Sequence, residues 1–128
     1  MTHSNLELAK ICEHAAKRIT PEGAWTKMAY CRDVTGHISA IGDPEAACWC
    51  LEGAILEEMD PTEVDDAIQH NCGANWSRLQ SAISRAGPFS RYKPLEARLV
   101  LINDTSIIRW PVLAALYKAA KNLRKDST

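Results

Sequence analysis

The sequence predicts a mainly α fold, a compact single domain of about five to six helices with a small β-hairpin near residues 27–41. Three observations lead to this class. A length of 128 residues suits one apolar core and is too short for two. Apolar residues make up 46% and charged residues 24%, which is ordinary globular composition. Apolar residues also recur at helical spacing over most of the chain. We therefore expect one globular domain over 1–128, with a basic C-terminal tail at 121–128 whose end can fray.

The first helix is predicted by the capping box that starts it. In Ser4-Asn5-Leu6-Glu7, the Ser4 hydroxyl and the Glu7 carboxylate can each accept a hydrogen bond from a free backbone N–H. The apolar stripe behind this box runs to about Arg18. Proline and glycine in the segment 20–23 then end the helix.

A hairpin and a central helix are predicted next. Asp33 and Gly36 occupy the first and fourth positions of a type I turn between two short runs, which predicts the hairpin. Asp43-Pro44-Glu45 then resembles a helix start, because Asp is a good N-cap and Pro fits the first helical position. We expect this helix to cover residues 44–59 and to lie inside the core.

The predicted central helix contains the segment CWCLEGAI, residues 48–55, and separates small from large side chains on a helical wheel. The small side is formed by Ala46, Ala47, Cys50, Gly53 and Ala54. Glycine inside a helix costs about 1 kcal/mol relative to alanine, so we expect a helix backbone or a cavity wall to come close to Gly53. Cys50 is then either a small buried apolar residue or a thiol at the floor of a pocket.

Two short helices are expected after this segment. Asp60-Pro61 repeats the helix-start signal, and the segment 71–73 ends that helix with Asn and Gly. Asn75 is expected to cap the next helix, which Gly87-Pro88 closes before a loop at 88–94.

The last third of the chain leaves one assignment open. Residues 95–102 fit a helix or a strand, and the start LEAR favours the helix. Residues 103–106 are expected to form a turn. A final amphipathic helix follows, and its basic residues complement the negative end of the helix dipole.

Charge and composition argue against several classes of protein. Fifteen basic residues nearly cancel sixteen acidic ones, so the chain has no overall field that attracts nucleic acid or an anionic membrane. No apolar run approaches the roughly 18 residues of a membrane span, and the N-terminal segment lacks the features of an export signal. We therefore expect a cytoplasmic protein whose five cysteines are reduced thiols.

Four features recur in a fixed order along the chain: Trp25 after the first helix, the turn Asp33 to Gly36, Trp49-Cys50 followed by Gly53-Ala54, and Asn103-Asp104 before the last helix. This order resembles a family of small uncharacterised proteins of bacteria and phages, a domain of unknown function with a Trp-Cys-x-x-Gly-Ala motif and a later Asn-Asp pair. The chain departs from that pattern at Thr105, where a glycine is common. The resemblance implies no particular activity.

Two functions compete for these residues. A thiol nucleophile needs a base and a group that orients the base, and Cys50, His37 and Asp104 supply those types for a thiol-dependent hydrolase or transferase. His37 flanks a turn, however, and Asn-Asp pairs most often cap or turn a backbone. The favoured hypothesis is therefore a non-catalytic binding or accessory domain of bacterial or phage origin. Its partner is a protein or a small ligand, and its expected contacts are Trp49, Gly53, Asn103 and Asp104.

Metal and cofactor binding are not expected. The pairs Cys12 with His14, Cys48 with Cys50, and His70 with Cys72 each have one intervening residue. Structural zinc ligands are usually separated by two to four residues, and helical neighbours at i and i+2 point apart.

A weak nucleic-acid-binding helix-turn-helix module is a further alternative. Residues 63–70, 71–73 and 76–86 have its proportions, and the basic candidates are Arg78, Arg85, Arg91 and Lys93. The acidic residues Glu63, Asp65 and Asp66 on the first of these helices make nucleic acid an unfavoured partner.

Overall fold

The computed structural model describes residues 2–87 and 95–126. Within these residues the chain forms six helices and three short strands, which confirms the mainly α class and the predicted number of helices. The elements in chain order are α1 (Asn5–Ile19), β1 (Cys31–Asp33), β2 (Ile38–Ser39), β3 (Ala46–Trp49), α2 (Leu51–Glu58), α3 (Pro61–His70), α4 (Ala74–Ala86), α5 (Leu95–Asp104) and α6 (Trp110–Asp126).

The core lies where α1, α2, α4, α5 and α6 meet. α1 and α4 both pack on α6, and α2 packs on α1 and α5. This arrangement follows from the apolar stripes of α1 and α6, which each bury seven residues. The largest fully buried side chains are Trp76, Leu8, Ile19, Leu51, Ile55, Leu56, Leu79, Ile83, Leu99, Ile102, Leu116 and Val112. None of the described helices is long and apolar enough to cross a bilayer.

The predicted hairpin is confirmed and belongs to a three-stranded antiparallel sheet of order β2-β1-β3. Cys31 pairs with Ser39 on one side and with Trp49 on the other. In the turn, the Gly36 N–H donates to the Asp33 carbonyl at 3.0 Å. Gly36 has φ +88°, a conformation that glycine adopts without steric cost.

The expected helix over residues 44–59 is wrong in its first half. Residues 46–49 form β3, and the helix begins only at Leu51. The Asp43 side chain accepts the Glu45 N–H at 2.8 Å, as an N-cap would, but the chain then turns into the sheet. An Asx-turn and an N-cap use the same hydrogen bond, so Asp43-Pro44 could not distinguish them.

Two smaller expectations are also corrected. Asn75 does not cap α4, because that helix begins at Ala74 after Gly73, and the Asn75 side chain is buried. Residues 103 and 104 end α5 instead of forming a turn. The helix favoured for 95–102 is confirmed, and the loop expected at 88–94 lies outside the described residues.

Candidate functional site

A cleft of about 360 Å³ opens beside the N-terminus of α2. Its walls come from the segment before β1, from β2 and from α5. The apolar lining residues are Met28, Ala29, Tyr30, Ile38, Leu99 and Val100. The polar lining residues are Cys50, Glu52, Asn103 and Asp104. The structure therefore brings together three of the residues singled out in the sequence, which are Cys50, Asn103 and Asp104.

The buried side chain of Asn103 connects three segments around the cleft. Its Oδ1 accepts hydrogen bonds from the Trp25 indole N–H at 2.7 Å and from the Leu51 backbone N–H at 2.9 Å. Its Nδ2 donates to the Thr26 carbonyl at 3.2 Å and to the Asp104 carboxylate at 3.0 Å. A carboxamide has two acceptor and two donor positions, and all four are used here. Asn103 therefore positions the site and has no remaining hydrogen bond to offer a ligand.

Cys50 is the N-cap of α2. Its backbone is extended, with φ −80° and ψ 177°, and its Sγ accepts the Gly53 N–H at 3.3 Å. Burial raises the pKa of the Cys50 thiol to about 12, and the negative charges of Glu52 and Asp104 also raise it, while the hydrogen bond from Gly53 lowers it. The thiol is therefore neutral at physiological pH, whereas a cysteine nucleophile reacts as its thiolate.

Gly53 lies directly against the backbone of Tyr30. A Cβ built on Gly53 would overlap the Tyr30 carbonyl oxygen and lie 2.7 Å from the carbonyl carbon. The same carbonyl accepts the Cys50 N–H at 3.0 Å. The close neighbour of Gly53 is thus the backbone of the irregular segment before β1, which lines the cleft, and only a residue without a side chain allows this approach.

Trp49 lies on another face of the molecule. Its indole ring stacks under the Arg18 guanidinium at 4.9 Å, and its Nε1–H donates to Glu57 at 3.2 Å. It lines a second cleft of about 590 Å³ on that face, together with Arg18 and Asp33, and does not belong to the lining of the Cys50 cleft. Trp49 and Cys50 separate because both have extended backbone, on which successive side chains point to opposite sides.

His37 is located in the hairpin turn. Its side chain is 83% exposed, its Nδ1 lies 2.6 Å from the Thr35 hydroxyl, and it is 4.0 Å from the Asp33 carboxylate. It is not among the described residues that line the cleft. The structure thus places the thiol and the imidazole of the candidate triad in different environments.

The basic candidates for nucleic-acid binding have varied surroundings. The Arg78 guanidinium donates to the His3 carbonyl and to Asn5 Oδ1, and so ties α4 to the N-terminal segment. Arg85 is exposed, and its Nε donates to the Ser81 carbonyl of its own helix. Arg91 and Lys93 lie outside the described residues.

Sequence reasoning did not identify the apolar rim of the cleft. Met28 and Ile38 are 81% and 70% exposed, and Val100 is 46% exposed, so each remains available to a ligand. Ile38 is a large apolar residue on a two-residue strand, which is too short for its alternation to reveal a face. Met28 has φ +64°, a left-handed conformation that nothing in its neighbours predicts.

Metal-ligating side chains do not converge in the part of the chain that the structure describes. No group of three His, Cys, Asp or Glu residues there could hold a metal ion. The five cysteines are free thiols, of which Cys12, Cys31 and Cys50 are buried.

Comparison with known proteins gives a family and no relative. Searches of curated proteins and of solved structures found no match. Residues 3–122 match the Family of unknown function (DUF6197), a span that includes the sheet, Cys50, Gly53 and the Asn103-Asp104 pair. Since the match covers nearly the whole chain, the protein belongs to this family of unknown function.

Proposed function

We propose that this protein is a non-catalytic binding domain whose ligand occupies the cleft beside Cys50. The observation that carries the proposal is that the polar and apolar residues of the cleft have different roles. Its buried amide, Asn103, is fully used in holding the fold together, while its rim presents exposed apolar side chains. A concave, mostly apolar site with a few fixed polar groups is typical of small-ligand binding.

The origin and cellular location of the protein are part of the same proposal. We place the domain in the cytoplasm of a bacterium or among the proteins of a phage, where it acts as an accessory factor through a protein or small-ligand contact. The five free thiols support a reducing compartment.

A thiol-dependent hydrolase or transferase is the alternative function, and the described residues give it no support. The Cys50 thiol is held neutral by burial, with a pKa raised to about 12. The candidate base His37 is solvated in the hairpin turn. Nucleic-acid binding through α4 is equally unfavoured, because Arg78 is used in contacts within the chain.

The binding proposal is tested by filling the cleft. 2-Phenylethanol is titrated into the isotopically labelled protein, and the indole N–H signal of Trp25 is followed by NMR, since that group donates to Asn103 in the cleft lining. We expect saturable shifts in the wild-type protein and in an Ile68→Phe control on α3, and their loss in Val100→Phe. Equal shifts in Val100→Phe, or no saturable binding at all, would refute the cleft as the binding site.

The choice between binding and catalysis is tested by thiol reactivity. Iodoacetamide labelling near neutral pH, followed by peptide mass spectrometry, ranks the five cysteines. We expect the exposed Cys72 and the partly exposed Cys48 to react well before Cys50, because reaction requires access and a thiolate. If Cys50 reacts first, the non-catalytic proposal is wrong and the thiol enzyme becomes the better hypothesis.

A further inference from the structure

We infer that the ligand of the cleft is a small organic cation, in which an ammonium group that binds Asp104 is attached to an apolar body about the size of one aromatic ring and a short chain. This inference rests on the proposed binding function and specifies the chemistry of the ligand.

The carboxylate of Asp104 is held in a fixed orientation at the edge of the cleft. Its Oδ1 accepts the Asn103 Nδ2–H at 3.0 Å, and Asn103 is itself fixed by its other three bonds. No second hydrogen bond to this carboxylate occurs within residues 2–87 and 95–126. An oriented carboxylate with acceptor capacity left is suited to a charged hydrogen-bond donor.

The position of Asp104 in its helix also favours a cation. Asp104 is the last residue of α5, where the backbone carbonyls carry the negative end of the helix dipole. A negative side chain at that end is locally unfavourable, and a cation bound there would interact with both the carboxylate and the helix end.

The remaining charges of the cleft have the same sign. Glu52 is the second carboxylate of the lining, and the charges of Glu52 and Asp104 both act on the Cys50 thiol. The described lining residues include no lysine, arginine or histidine. Glu52 takes part in other interactions, so we assign recognition of the cation to Asp104.

The size of the cleft defines the apolar part of the ligand. An apolar cavity of about 150 Å³ accommodates benzene, and this cleft has about 360 Å³. It is therefore large enough for a ring with a short chain and lies near the lower end of the range for small-molecule sites. For this reason we assign the ammonium group to a free small molecule and not to a side chain of a partner protein.

Three probes of similar shape test the sign of the charge. 2-Phenylethylammonium, 2-phenylethanol and 3-phenylpropionate are titrated at neutral pH, with the Trp25 indole signal as the readout. We expect the cation to bind about tenfold more tightly than the alcohol, because a charged donor forms a stronger hydrogen bond with the Asp104 carboxylate than a neutral hydroxyl does. The carboxylate probe should bind most weakly.

Two variants that each remove one negative charge test whether the preference for the cation depends on Asp104. Asp104→Asn is isosteric, and its amide oxygen can still accept from Asn103. We expect it to abolish the preference for the ammonium probe over the alcohol, with both affinities measured in the variant. Asp65→Asn on the exposed side of α3 should change neither affinity.

The possible outcomes separate this inference from the proposed function. If the alcohol binds and the ammonium probe binds no better, or if Asp104→Asn leaves the preference intact, the cation assignment is wrong and the binding site stands. If none of the probes binds, both fail. Should Asp104→Asn disturb the fold, the ranking of the three probes on the wild-type protein still decides.

Discussion

The free backbone N–H groups at the starts of α1 and α2 find their hydrogen-bond acceptors in opposite ways. At α1, the Ser4 hydroxyl accepts the Glu7 N–H and the Glu7 carboxylate accepts the Ser4 N–H, both at 3.1 Å. At α2, the Cys50 thiol accepts the Gly53 N–H, and the Leu51 N–H donates to Asn103, a residue 52 positions away. The first cap is contained within four residues, whereas the second depends on a distant helix.

This difference shows which part of the molecule supports the candidate site. The α1 cap is exposed to solvent and affects one helix end. The α2 cap is buried, and the amide that completes it also fixes Trp25, Thr26 and Asp104. A substitution at the start of α2 should therefore disturb the cleft as well as the helix. Four substitutions, in order of the expected loss of stability, test this difference between the two helix starts.

The largest effect is expected for Asn103→Asp, which should lower the free energy of unfolding by about 4 kcal/mol at pH 7. The change removes both donors of the amide and buries a second carboxylate beside Asp104. Protonation of the new group would restore a donor, so the deficit should shrink as the pH falls from 7 to 5. Urea unfolding of the variant and the wild type at both pH values measures this loss of unfolding free energy. A loss below about 1 kcal/mol would show that the four hydrogen bonds are not important for stability.

Gly53→Ala follows, with an expected loss of about 3 kcal/mol in urea unfolding. The added methyl group would overlap the backbone of Tyr30, which cannot rotate away as a side chain could. The matched control is Gly87→Ala, whose methyl group would lie 2.5 Å from the terminal Cδ1 of Ile102, an atom that can move, and in ordinary contact with backbone at 3.7 Å from the Ile83 carbonyl oxygen. We expect that control to stay within about 1 kcal/mol of the wild type. Similar losses in both variants would contradict the close packing at Gly53.

Cys50→Ala should cost about 1.5 kcal/mol, because it removes the side-chain acceptor of the α2 cap and leaves a small void. Cys50→Ser keeps an acceptor at the same position, and serine is a preferred N-cap residue. We therefore expect Cys50→Ser to retain more stability than Cys50→Ala in thermal unfolding. If serine is the worse replacement, the thiol acts only as a buried apolar group and not as a cap.

The smallest effect is expected at the exposed start of the molecule. Ser4→Ala should cost about 1 kcal/mol or less, since it removes one N-cap hydrogen bond that water can partly replace. The matched control is Ser77→Ala on the exposed face of α4, which should be neutral or slightly stabilising because alanine is the better helix former. An effect of Ser4→Ala on probe binding in the cleft would contradict the separation of the two helix starts.

The elements whose signals are local were predictable. The Ser4 capping box, the Asp33–Gly36 turn and the Asp60-Pro61 start are each complete within a few residues, and each is found in the structure. The Asp43-Pro44 signal is equally local, yet the chain that follows forms β3. Its residues are stabilised there by pairing with β1, and no local rule includes that pairing.

The candidate site was only partly predictable for the same reason. The sequence singled out Cys50, Gly53 and the Asn103-Asp104 pair as unusual, and these residues lie at or next to the cleft. It could not identify the apolar rim, because Met28, Ile38 and Val100 come from three segments that only the fold brings together. It also grouped Trp49 with Cys50, although the extended backbone of both residues directs their side chains into different clefts.

The sequence by itself determined the helical class, the hairpin and the residues that needed an unusual environment, because apolar spacing, turn chemistry and caps act over a few bonds. Only the tertiary structure decided that residues 46–49 form a strand, that Asn103 completes the start of α2, and that Gly53 meets Tyr30. Those outcomes depend on hydrogen bonds and close contacts between segments distant in the chain, whose energies exist only once the chain has folded.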